Sequence, residues 1–393
     1  MTIEATSETV PALQEAANRA LRAADPRAAA ALFQRALAAA PGRLDLWMGL
    51  AASQRGASDA VGALNSVNSA LQLEPRSFPA LLMKGSLLEA LGRTSEAAKI
   101  YGVAAQLAPP ADSLNEPTRR ALEHGAALHQ KFTSALIEAL GAAAEGVTRP
   151  LARRAEIFID AVAGRRRIYQ QEPVQVNFPG LPAIEFWERD EFPFLAGLEA
   201  NFAAIRAEAL AVWSEGSPEL TPYVHYPAGA PLDQWAELNN SLKWSAFHLW
   251  KDGALVEANA SQCPATMTAL AKVDQPHTLN CSPAAMFSIL RPRTRIPPHT
   301  GVANTRLVLH LPLIVPENCR FRCGGETRPW REGEAFVFDD TIEHEAWNDS
   351  DKPRCVLICD VWNPRLSSEE RDLITRVMKT LDHFNGGAAG QGL

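Results

Sequence analysis

Three prolines, Pro41, Pro75 and Pro109, stand 34 residues apart, each just behind an alanine-rich run. Counting back from each by the same offsets gives Ala29, Phe33 and Ala36, then Ala63, Val67 and Ala70, then Ala97, Tyr101 and Ala104. Small residues at this spacing let two helices approach, the larger one between them fills the gap, and proline, lacking an N–H, ends the second helix. A chain with such a period folds as stacked helical units, each burying its apolar face only against its neighbours.

The pattern resembles the tetratricopeptide repeat (TPR), a pair of helices per unit. Trp47 stands near the start of the second unit and Gly85 in the first helix of the third, whereas the opening helix of the first unit lacks both. The alternative is a generic alanine-rich bundle. Either way residues 1–110 bind or pack and carry no chemistry. Residues 111–170 read as a helical connector, with apolar residues at three- and four-residue spacing. Its basic run Arg165-Arg166-Arg167 reads as a solvated helix end. Proline-rich text (EPVQVNFPGLPAIEF) then marks a boundary, and one more helix is expected from 195 to 213.

From 285 to 361 the period changes. MFSILR, TRLVLHLPLIV, CRFRCG, EAFVFD and RCVLICDVW are short, β-branched or aromatic, and bounded by Pro, Gly or Asp, as in a β-sandwich or barrel. LSSEERDLITRVMKTLDHF then has a serine cap and helical spacing, and residues 386–393 read as a disordered tail. At 393 residues the chain calls for two or three domains. A net charge of -7 argues against nucleic acid as a partner. The opening MTIEATSETV has no basic n-region and no apolar run spans a membrane, so a cytoplasmic location is expected. The six cysteines form no CxxC pair, which favours buried free thiols over zinc or disulfides.

Two histidines stand out in the β-rich block: His299 in RIPPHTG and His344 in FDDTIEHEAW. Taken alone, a histidine among strands is more often structural than a ligand. The words around them are more specific. PHTG at 298–301, RLVLHLPLIVP at 306–316, FDDTIEHEAWNDS at 338–350 and RCVLICDVWNP at 354–364 together resemble the aspartyl/asparaginyl β-hydroxylase family of 2-oxoglutarate dioxygenases. Weaker similarity reaches back to KWSAFHLWKDG at 243–253 and PATMTALAKV at 264–273. The fold implied is multidomain α + β: an N-terminal α-helical TPR-like array and a C-terminal double-stranded β-helix (jelly-roll, cupin-like) over residues 171–385.

The resemblance implies Fe(II) held by His299 and His344, with 2-oxoglutarate as cosubstrate. Oxygenases of this kind commonly add a carboxylate as His-x-Asp; here Gly301 takes that place, as is usual within this family, where water is thought to fill the vacancy. Arg354 is the implied partner of the distal carboxylate of 2-oxoglutarate, a planar bidentate match. The resemblance also assigns Ser288 and His310 to the cosubstrate pocket. Arg306, charged in an otherwise apolar strand, should face the barrel mouth or a partner. Two positions on, where the animal enzymes are expected to carry a second substrate-gripping arginine, this chain has Val308.

Trp244, Phe247 and Trp250 are candidates to line a substrate cleft. Asp339, Asp340 and Glu343 read as solvated turn acids, with a role in orienting metal ligands as the alternative. The implied reaction is hydroxylation of an unactivated carbon, the β-carbon of an aspartyl or asparaginyl residue in a peptide, protein or amino acid. The repeats would then present the substrate. The competing reading is a metal-free repeat scaffold or adaptor with a degenerate jelly roll.

Overall fold

The computed structural model describes residues 9–148, 151–213, 219–278 and 281–384; the tail expected at 386–393 lies outside them. The chain divides into two compact units, Met1–Arg165 and Arg166–Leu393.

In the first unit, α1 (Val10–Arg22) and α2 (Pro26–Ala39), α3 (Leu44–Gly56) and α4 (Ala60–Leu73), and α5 (Phe78–Ala90) and α6 (Thr94–Gln106) are consecutive helix pairs. They are followed by α7 (Glu116–Ala143) and α8 (Leu151–Val162). The nine residues picked out by the 34-residue offset are at most 3% exposed. Asp25, Asp59 and Asn115 cap α2, α4 and α7 through their side chains, each taking up an N–H the helix leaves unpaired. Tyr101 shows why the spacing holds. A Cβ at Gly85 would lie 2.5 Å from its ring and one at Gly125 2.3 Å, so glycine on both flanking helices makes room for it. This is a TPR-like helical array.

The second unit opens with α9 (Leu195–Ala200) and α10 (Phe202–Val212). The single helix expected over 195–213 is therefore two. The break falls at Asn201, whose amide donates to the Gly197 carbonyl that the helix end leaves open. Then come β1 (Thr221–Pro222), β2 (Trp244–Lys251), β3 (Ala254–Leu255), α11 (Glu257–Ala260) and α12 (Pro264–Leu270). The remaining strands are β4 (Ala285–Leu290), β5 (Thr294–His299), β6 (Arg306–Ile314), β7 (Cys319–Cys323), β8 (Glu326–Pro329), β9 (Phe336–Phe338), β10 (His344–Asn348) and β11 (Arg354–Trp362). The chain closes on α13 (Ser368–Phe384), where Ser367 and Glu370 cap each other's backbone N–H groups.

The strands form two antiparallel sheets, one in the order β1-β2-β4-β11-β6-β9 with β3 beside β2, the other β5-β10-β7-β8. Residues from both sheets share one buried cluster, including Trp244, Leu290, Val308 and Val356 from the first and Ile296, Phe321 and Ala346 from the second. The sheets therefore face each other as a double-stranded β-helix. The outer face of the larger sheet packs under α9, α10 and α12.

Strand parity divides the labour. On β11, Cys355, Leu357, Cys359 and Val361 point to the helices; on β6, Leu307, Leu309, Leu311 and Leu313 do so; on β4, Ala285, Phe287 and Ile289. The opposite parity carries Arg354 and Asp360, Arg306 and His310, and Ser288, all between the sheets. Pro297 and Pro298 fall in β5, an edge strand where a missing N–H costs no ladder bond. The cysteines are free thiols, five buried and Cys281 half-buried.

Candidate functional site

A cavity opens between the two sheets, and His299, His344, Arg354, Ser288, His310, Arg306 and Trp244 all line it. The antiparallel pairing of β5 and β10 sets His344 directly opposite His299, and their rings lie 4.1 Å apart, centroid to centroid. Each histidine uses Nδ1 locally: His299 toward the Pro297 carbonyl at 2.8 Å, His344 toward that of Ile342 at 3.0 Å. A carbonyl only accepts, so Nδ1 carries the proton and the lone pair is on Nε2. Burial, with each other's proximity adding for His299, lowers their pKa values to about 3 for His299 and about 4 for His344. Both are neutral at pH 7, as metal ligands must be.

Gly301 sits beside this pair with no side chain to offer. A Cβ there would lie 2.0 Å from Asp340 Oδ2, so the carboxylate of Asp340 fills the space a side chain at 301 would need. Asp340 Oδ2 accepts from Arg306 Nη1 at 2.9 Å, while Oδ1 is buried without a hydrogen-bond partner. Asp339 and Asp340, expected as solvated acids, are buried at 0% and 6% exposure. Asp339 accepts from Thr341 and Gln171, and burial lifts its pKa to about 6. Buried turns of this kind cannot be told from solvated ones by composition. Glu343 is half-buried and pairs with Arg322.

Arg354 is 1% exposed, and its Nε and Nη2 have no partner. Its guanidinium lies 4.5 Å over the Trp330 ring, and burial lowers its pKa to about 10, so it remains charged. A buried guanidinium with two idle donors is a site for an anion. Its neighbours are set up to donate as well. Trp330 Nε1 reaches His310 Nδ1 at 3.4 Å, which leaves the proton of the neutral imidazole on Nε2. Burial, then Arg354, holds His310 neutral. Trp244 Nε1 donates to Ser288 Oγ at 3.1 Å, which frees the serine O–H to donate onward.

Arg306 lies at the cavity's other end, bridging Asp340 at 2.9 Å and Asp360 at 3.4 Å. Burial opposes its charge, but the two carboxylates outweigh burial and hold its pKa above the ordinary value.

Phe247 and Trp250 are not in the cavity. Phe247 is three residues from Trp244 and so has the opposite parity, packing under the helices. Trp250 shares the parity of Trp244, but a register shift between His248 and Trp250 turns it to the helix side against His277. Asp360, Trp330 and Tyr223 line the cavity without having been singled out from sequence. Parity with Arg354 along β11 was the available signal for Asp360.

Among the described residues no group of three or more His, Cys, Asp or Glu is placed to hold a metal. A two-histidine site lies below that count, and the paired Nε2 atoms and the idle donors of Arg354 fit a metal and an anionic cosubstrate.

Acid should weaken the fold. The folded-state pKa values of His299, His344 and His248 (about 4) lie below the unfolded value of 6.5, as does that of His310. The unfolded chain then binds more protons, so stability present above pH 6.5 falls as pH drops toward 3–4. Asp339, lifted to about 6, acts oppositely, as do Asp252 and Asp360, whose pKa values burial also raises, but these are three groups against four. Urea unfolding at pH 7.5 and pH 5 checks this: the midpoint should be lower at pH 5.

The fold and this cavity define a cupin-like jelly roll with a paired-histidine site. Residues 199–364 match the model of the aspartyl/asparaginyl β-hydroxylase family, so the C-terminal unit carries a domain of that family. Human aspartyl/asparaginyl beta-hydroxylase is 36% identical over 209 residues, 52% of this chain and 26% of the human one. The ornithine lipid ester-linked acyl 2-hydroxylase of Rhizobium tropici is 34% identical over 196 residues, 49% and 66% of the two chains. Aspartate beta-hydroxylase domain-containing protein 2 of Xenopus tropicalis is 30% identical over 213 residues, 53% and 55%. The chain thus spans 26% of the length of the human and mouse hydroxylases it matches. The first TPR of Spaghetti, bound to an HSP90 peptide, aligns with 33% of this chain and 97% of that one at 22% identity and a TM-score of 0.27. At that score the likeness adds nothing to what the helix pairs already say. Among the described residues no helix is long and apolar enough to cross a membrane.

Proposed function

We propose that the C-terminal unit is an Fe(II)- and 2-oxoglutarate-dependent dioxygenase that hydroxylates an unactivated carbon. The observation that carries this reading is the buried guanidinium of Arg354, its Nε and Nη2 idle, in the same cavity as the His299–His344 pair. His299 and His344 hold the metal through Nε2, their Nδ1–H bonds to backbone carbonyls fixing tautomer and ring orientation. Arg354 receives the distal carboxylate of 2-oxoglutarate, with His310 Nε2–H and the Ser288 hydroxyl as further donors. Iron, when bound, would activate dioxygen, the oxidant, while 2-oxoglutarate would give up two electrons and leave as succinate and carbon dioxide, one oxygen atom going to succinate and the other to the substrate carbon. The apolar walls around Val308, Ile358 and Phe338 exclude water. The names of the relatives point to aspartyl or asparaginyl residues in one case and an acyl chain in another; the first expectation here is the β-carbon of an Asp or Asn residue.

The scaffold reading has less support, since a domain without ligands gains nothing by burying an unpaired guanidinium. Replacing His344 with alanine tests the site. Mn(II) affinity, followed by electron paramagnetic resonance, should fall at least tenfold, on the order expected for loss of one of two ligands, while far-UV circular dichroism stays unchanged. Unaltered Mn(II) binding would remove His344 from the metal site.

A further inference from the structure

We infer that the substrate is a peptide segment carrying a basic side chain, lysyl or arginyl, close in sequence to the residue that is oxidised. The inference rests on the functional reading above and adds to it the chemistry of the residues that flank the target.

A groove adjoins the cavity, and His299 lines both. The inner cavity holds about 100 Å³ and the groove about 460 Å³. A side chain that reaches the inner cavity therefore leaves its neighbours along the chain in the groove. The groove's walls are held in place before any ligand arrives. The Gln234 amide donates to the Pro298 carbonyl at 3.1 Å, tying the loop after β1 to β5. The N–H groups of Glu172 and Val174 donate to the Thr341 and Gly301 carbonyls at 2.7 and 3.0 Å, which fixes another wall. A preformed surface spends little of its binding energy on ordering itself.

Its lining suits a cation. Glu172 and Glu343 line the groove, and among the described residues neither a lysine nor an arginine does. Glu172 is exposed, and Glu343 gives one oxygen to Arg322, which stands outside the groove. Tyr226 and Trp235 line it too, the Trp235 ring lying 5.1 Å from that of His299, centroid to centroid. Aromatic faces beside carboxylates attract an ammonium or guanidinium both by charge and by cation–π contact. Val174, Pro298 and Val302 offer apolar contact to the aliphatic stem of such a side chain. The metal does not reverse the sign. A divalent ion on His299 and His344 and a cosubstrate dianion on Arg354 both belong to the inner cavity, and their charges sum to zero. An acidic neighbour of the target would meet two like charges in the groove, which costs affinity.

The test uses the full chain, once loaded with Mn(II) and 2-oxoglutarate and once without them. Three pools of nonapeptides with a central Asn carry Lys, Gln or Glu on both sides of it and are otherwise random. Affinity selection read by mass spectrometry should retain the lysyl pool roughly fivefold or more over the glutamyl pool, with the glutaminyl pool between. Glu172→Gln should shrink that ratio about two- to fivefold. Glu369→Gln, which removes another exposed acid from α13, should leave the ratio unchanged and so separates the groove from the net charge of -7. Equal retention of the pools, preference for the glutamyl pool, retention of none, or the same ratio in all three proteins overturns the proposal, as does an equal loss in both variants. Failure of the functional reading is distinct: the parent protein would bind no 2-oxoglutarate, while the unloaded chain would still prefer the lysyl pool.

Discussion

Arg354→Met is expected to make the unliganded protein more stable while nearly abolishing its affinity for 2-oxoglutarate. The guanidinium is 1% exposed, and two of its nitrogens have no acceptor. The Trp330 ring lies 4.5 Å from it and offsets part of its desolvation. Replacing buried ionic groups by apolar ones of similar volume is often stabilising, by about 1–4 kcal/mol. Methionine fills similar space without the charge. On the binding side, truncating one member of a buried, hydrogen-bonded charge pair costs about 2–5 kcal/mol, or roughly thirtyfold to a few thousandfold in affinity. Opposite signs in the two measurements separate a binding residue from a structural one. Calorimetric melting of the apo protein and 2-oxoglutarate titration with Mn(II) check both. A variant that melts lower and binds normally would make Arg354 part of the scaffold. Arg354→Lys, keeping charge without the planar fork, should fall between in affinity.

Gly301→Ala should be the most damaging methyl group that can be added to the β-helix. The backbone is pinned on both sides: the Gly301 N–H donates to the Asp340 carbonyl at 2.6 Å, and its carbonyl accepts from Val174 N–H at 3.0 Å. The new Cβ would fall 2.0 Å from Asp340 Oδ2, so the carboxylate must swing off Arg306. Overpacking together with a broken buried ion pair costs on the order of 2–4 kcal/mol. The same collision means that Gly301→Asp does not simply restore a third ligand. Gly301→Asp combined with Asp340→Gly, which moves the carboxylate across the gap, should recover at least half of the lost stability. Denaturant unfolding of the single and double variants reads this out. A Gly301→Ala change within about 0.5 kcal/mol of the parent would show that the space is not contested.

The helical repeats could be read from the sequence because their constraint is local. The six alanines, Phe33, Val67 and Tyr101 at the 34-residue offset are all core, for the reason their spacing implied. The larger sheet's central strands were equally visible as apolar runs. What the runs concealed was parity. Arg306 and His310 interrupt one apolar run an even number of residues apart, and Arg354 and Asp360 another, which puts each pair on one face of its strand; the register of β6 against β11 then brings the two pairs together. Trp244, Phe247 and Trp250 were grouped by type, yet parity separates the second and a register shift the third. The burial of Asp340 against Gly301 lay beyond sequence reading for a different reason. The meaning of this carboxylate depends on Gly301, 39 residues away, whose missing side chain it replaces in space.

The most direct test of the functional reading is anaerobic titration of the protein with Fe(II) and 2-oxoglutarate, followed by admission of oxygen. A weak visible charge-transfer band should appear, saturate at one cosubstrate per chain, and give succinate on oxygenation. The band should be absent from the His299→Ala/His344→Ala double variant and require far more cosubstrate in Arg354→Met. Folded protein that shows no band, binds no 2-oxoglutarate and forms no succinate would contradict the oxygenase and leave a repeat-bearing scaffold.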